Sequence, residues 1–131
     1  VPKGRWGAMT RIRLRMFAAT LAIVLIAAVT VAAHMAYSKS VPGKDAALAE
    51  SPAQLRVWFT QDPEPALSQL SLEGPDGEVA IGKTTVSEER SLVAEVTSTL
   101  GPGSYTVKWR SAGNDGHVQR GDFAFTVRAA D

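Results

Sequence analysis

The chain has 131 residues, 45% of them hydrophobic and 21% charged, which suits one globular domain with a single small core. Its formal charge of +1 conceals an asymmetry: five of the fourteen Lys+Arg and none of the thirteen Asp+Glu precede residue 34, so the rest carries nine basic against thirteen acidic residues, a formal charge of −4. That balance argues against nucleic-acid binding, which needs clustered excess Lys and Arg; with no cysteine, disulfides and thiolate metal sites are excluded, and any cation must be held by nitrogen and oxygen.

Residues 1–33 read as a targeting segment. Met9, which the pattern marks as a start, is followed by Thr10-Arg11-Ile12-Arg13-Leu14-Arg15, a basic flank. Residues 16–33 are apolar apart from Thr20 and Thr30 and end in Val31-Ala32-Ala33, the form of a secretory cleavage site. Cleavage there leaves residues 34–131 as the exported domain, with His34 as its first residue. The competing reading is an uncleaved anchor helix, because the apolar run approaches the roughly 18 residues that span a bilayer. The basic flank then stays cytoplasmic, and the domain still faces outward.

After a short edge strand and a loop in residues 34–52, the hydrophobic period becomes two. Leu55, Val57 and Phe59 alternate with Arg56, Trp58 and Thr60, the pattern of a strand with one face inward. A proline-rich break at Gln61-Asp62-Pro63-Glu64-Pro65 precedes a strand marked by Leu70 and Leu72. Gly74-Pro75-Asp76-Gly77 turns the chain into a third strand through Val79 and Ile81. Residues 84–87 are a candidate short strand, Leu92, Ala94 and Val96 mark another, and the last two run through Tyr105, Val107 and Trp109 and through Phe123, Phe125 and Val127. About seven short strands with regular turns and no convincing helix predict an all-β, immunoglobulin-like Greek-key sandwich or barrel. Tyr105, just inside a strand after Gly101-Pro102-Gly103, has the placement of a tyrosine corner, and Trp58 and Trp109 are read as packing residues.

The chemistry concentrates between the last two strands, in Trp109-Arg110-Ser111-Ala112-Gly113-Asn114-Asp115-Gly116-His117-Val118-Gln119-Arg120-Gly121. Asp115-Gly116 alone is an ordinary turn dipeptide, and a histidine after it is commonly a solvated loop side chain. The other of the chain's two histidines is His34, however, and a histidine at a mature N-terminus chelates through its amine and one ring nitrogen. A second imidazole and a carboxylate complete an N3O set. Cu(II) favours such a tetragonal nitrogen–oxygen field and heads the divalent affinity order, whereas Zn(II) finds neither three histidines nor thiolates here. These donors bind deprotonated, so affinity should fall on acidification.

From His34 to Arg128 the chain resembles the CopC family of periplasmic copper-binding proteins. The resemblance rests on the His34 start, Val57-Trp58-Phe59-Thr60-Gln61, the segments 72–77 and 101–110, Asp115-Gly116-His117, and Gly121-Asp122-Phe123-Ala124-Phe125-Thr126-Val127. It implies a Greek-key β fold holding one Cu(II) through His34, Asp115 and His117, with copper homeostasis or resistance as the role and a separate inner-membrane copper transporter of the CopD type as partner. Gln61 stands where many relatives have a ligating glutamate, so binding is expected to be weaker or more solvent-open unless Asp62 or Glu64 reaches the ion. Gln61, Asp62 and Glu64 are thus the candidates for a further ligand. A soft, methionine-rich Cu(I) site is not predicted, since only Met35 follows the leader.

The expected function is that of an exported, monomeric Cu(II) carrier or buffer and not an enzyme. Two alternatives stand beside it. One is an oxidative copper enzyme built on the N-terminal histidine chelate, in which Asp115 would occupy the position such an enzyme keeps open. The other is an anchored immunoglobulin-like module in which Asp115-Gly116-His117 is merely a turn.

Overall fold

Alternation along the chain becomes burial in the computed structural model, which describes residues 34–130; the leader reading lies outside them. Nine strands form: β1 (Tyr37–Val41), β2 (Ala47–Leu48), β3 (Gln54–Phe59), β4 (Gln69–Gly74), β5 (Gly77–Val79), β6 (Thr85–Ser87), β7 (Ser91–Glu95), β8 (Gly103–Ser111) and β9 (Gln119–Val127). One sheet has the order β1-β3-β7-β6 and the other β2-β9-β8-β4-β5. The hairpins β4–β5, β6–β7 and β8–β9 each stay within one sheet, and every other connection crosses between the sheets, as in a Greek-key path. Among the described residues the one helical element is a single 3-10 turn at Pro65–Leu67, at the end of the proline-rich break. Among the described residues no helix is long and apolar enough to cross a membrane.

The core lies between the sheets, and it is the predicted one. Leu55, Val57 and Phe59 from β3 are 1%, 0% and 3% exposed, and they meet Leu70 and Leu72, Leu92 and Ala94, Tyr105 and Val107, and Phe123, Phe125 and Val127. Burying side chains of this size contributes on the order of 1.5–3 kcal/mol each, so the face that points inward decides the register. Tyr105 donates its hydroxyl to Gly101 O at 2.8 Å and stacks on Phe125, completing the tyrosine corner.

One strand lies outside the prediction, and another is shorter than predicted. β2, within the alanine-rich piece read as loop, is two residues long and pairs parallel with Thr126 and Val127 of β9. β5 stops at Val79, leaving Ile81 packed on the core from the connection that follows. The two tryptophans part company. Trp109 packs edge-on against Phe59, with 5.2 Å between centroids, whereas Trp58 lies on the outer face between Lys39 Nζ and the Arg56 guanidinium, 4.8 and 4.6 Å from its ring.

Candidate metal centre

The β8–β9 hairpin is the longest pairing in the molecule, in register from Gly103↔Val127 to Ser111↔Gln119, and it ends in a loop over residues 112–118. Its root is fixed. Ser111 and Ala112 are fully buried, Ser111 Oγ shares a 2.7 Å hydrogen bond with Ser68 Oγ, and Ala112 O accepts the Glu64 N–H at 2.8 Å. The tip is exposed from Asn114 to Val118. A rigid base under a solvated tip is the arrangement that presents side chains without burying them.

Within the tip the backbone turns back on itself. Gly116 donates its N–H to Gly113 O at 3.1 Å and takes φ +73°, a left-handed conformation that disfavours any residue with a Cβ. Asp115 Oδ1 accepts the His117 N–H at 3.1 Å, an Asx-turn, and Oδ2 lies 3.6 Å from His117 Nδ1. The sequence Asp-Gly-His therefore sets carboxylate and imidazole side by side through local geometry alone.

The third residue comes from the other end of the described chain. Met35 is 3% exposed, and Ala36 pairs with Thr60 in both directions, its N–H to Thr60 Oγ1 and its O from Thr60 N, each at 2.9 Å. His34 thus stands one residue before an anchored point. Ligand atoms of His34, Asp115 and His117 all lie within 4.8 Å of one another, and all three residues are exposed. Donors about 2 Å from a shared ion stand no more than about 4 Å apart, so a small inward closure of this set would hold a small divalent cation of the kind that takes imidazole and carboxylate.

Gln61, Asp62 and Glu64 part ways around this centre. Gln61 closes on the hairpin root: a Cβ added to Gly113 would collide with Gln61 Oε1 and would stand 3.6 Å from the Met35 Cβ. Gln61 is therefore wedged beside both ligand-bearing segments. The carboxylates of Asp62 and Glu64 are not in the group of atoms that approach within 4.8 Å, and Glu64 meets the hairpin through its backbone. The close fit of Gly113 under Gln61 was not legible in the sequence, because it depends on two loops meeting.

Residues 37–128 match the model of the CopC domain family. Protein YobA of Escherichia coli K12 is 28% identical over 113 residues, which cover 82% of this chain and 91% of that protein. Among solved structures, CopC from Methylosinus trichosporium OB3b superposes with a TM-score of 0.68 at 29% identity, covering 75% of this chain and 97% of its own. PcoC, a methionine-rich copper resistance protein from Escherichia coli, gives a TM-score of 0.66 at 29% identity over 73% of this chain and all of the other.

Proposed function

Because the chain belongs to the CopC domain family and so has a copper-related function, we propose that it is an exported Cu(II) carrier or buffer that holds one ion through His34, Asp115 and His117. The observation that carries this reading is the approach of those three exposed side chains from opposite ends of the described chain to within 4.8 Å. Exposure suits cargo: an ion held at the surface can be passed on, whereas a resident structural metal is usually enclosed. In this reading residues 1–33 are removed, residues 34–131 are the mature domain, and the free amine of His34 adds a nitrogen donor.

Asp115 argues for carriage over oxidative catalysis, since its carboxylate would take a position that an oxygen-activating centre leaves open. Gln61 contributes a neutral oxygen beside the site, consistent with modest affinity and ready release. A monomeric carrier of this kind would hand copper to, or take it from, a separate membrane transporter. Native intact mass of the exported protein, before and after one equivalent of Cu(II), tests the reading. A chain beginning at His34 that retains one copper is expected. A chain still carrying residues 16–33 has no His34 amine and would overturn it.

A further inference from the structure

The outer face of the five-stranded sheet carries an arrangement that the copper site does not use. Gln69, Arg110 and Arg120 stand in one row across β4, β8 and β9, so two arginines face each other directly in the last rows before the metal-bearing loop. Like charges opposed across strands destabilise a sheet. The neighbouring acids, Glu73 and Asp122, both act on Lys108. Lys108, in the next row, bonds Glu73 at 2.9 Å, and that bond and Glu73's charge raise the lysine's pKa above its ordinary value. Arg110 reaches only the neutral Gln69 Oε1, at 3.3 Å, and among the described residues Arg120 makes no ion pair or side-chain hydrogen bond. Gln69, Lys108, Arg110 and Arg120 line a shallow depression of ≈ 520 Å³ with Ser71, Trp109 and a single carboxylate, Asp122, so three cations there face one acid. Beside it β9 is an open edge: the segment Asp45–Leu48 bonds it from Ala124 onward, and among the described residues no strand pairs with its outer side from Gln119 to Asp122.

Two paired guanidinium groups select an oxyanion, and an unpaired strand edge next to them selects an extended backbone. We propose that an acidic segment of a partner protein adds to the β9 edge, with its carboxylates held by Arg120 and Arg110 at the foot of the metal-bearing hairpin. That this partner exchanges copper with the chain rests on the carrier reading; the docking site rests on the arginines and the edge.

The test is a titration of the ¹⁵N-labelled protein with a short peptide of alternating Glu and Val, its Gln-for-Glu counterpart, and inorganic phosphate. The Glu peptide should shift the amides of Gln119 to Asp122, and Arg110→Gln with Arg120→Gln should weaken it about tenfold or more. Arg120→Gln alone should melt about 1–4 °C higher, because a like-charge pair is removed. Equal binding of the Gln peptide, shifts with phosphate as large as with the Glu peptide, or a lower melting point for Arg120→Gln would each overturn the proposal. Cu(II) titration of the double variant separates the two readings. Unchanged copper uptake with lost docking supports the site, and docking by a chain that never takes up copper removes only the copper-exchanging identity of the partner.

Discussion

His117 and Asp115 are neighbours by turn chemistry, and that fixes what each can contribute. One carboxylate oxygen is engaged by the His117 N–H, so Asp115 offers an ion chiefly its other oxygen. Replacing His117 by Ala should weaken Cu(II) at least ~10–100-fold, the loss seen when even outer partners of a metal are removed. Stability should change by no more than ~0.5 kcal/mol, since the side chain is 69% exposed. Calorimetric Cu(II) titration beside a thermal melt checks both halves, and a turn without metal chemistry would leave the titration unchanged. Gln61→Glu tests the neighbouring position. A carboxylate there, beside Gly113 and Met35, should tighten Cu(II) by adding a charged donor, read as a lower dissociation constant in the same titration. His34, Asp115 and His117 could be singled out in the sequence because histidine is so scarce. The wedge of Gln61 over Gly113 could not, because the contact joins residues 52 apart in a geometry no local pattern encodes.

Among the strands, all but the two-residue β2 were legible. Period-two alternation in β3, β8 and β9 translates directly into buried Leu55, Val57, Tyr105, Val107, Phe123 and Phe125. β2 has two residues and no periodicity to read; it exists because Asp45 N–H reaches Ala124 O and Thr126 N–H reaches Ala46 O, bonds made only after β9 is in place. The facing of Arg110 and Arg120 needed the register of β8 and β9, which the sequence leaves open by a residue or two. The tyrosine corner could be read because its turn and tyrosine are adjacent in sequence. Tyr105→Phe keeps the ring on Phe125 and removes the 2.8 Å bond to Gly101 O, so a loss of about 1 kcal/mol in chemical denaturation is expected. A loss much below that would mean the Gly101–Gly103 connection is held by other contacts.

On the scale of the whole molecule, a chain without cysteine draws its stability from one core between two sheets, with no covalent tie between its ends. The proposed ligands bridge that gap: His34 opens the described chain, while Asp115 and His117 sit on its last connection between strands. An ion held by all three closes a loop of some eighty residues and acts as a reversible clasp. Binding to the folded state alone would add about 2.7 kcal/mol when free Cu(II) stands ~100-fold above its dissociation constant. Melting temperature should therefore rise with copper, and the rise should vanish in His117→Ala. The loaded form would then outlast the empty one wherever proteases patrol, so that the lifetime of each molecule, and with it the size of the standing pool, would follow the amount of metal to be handled.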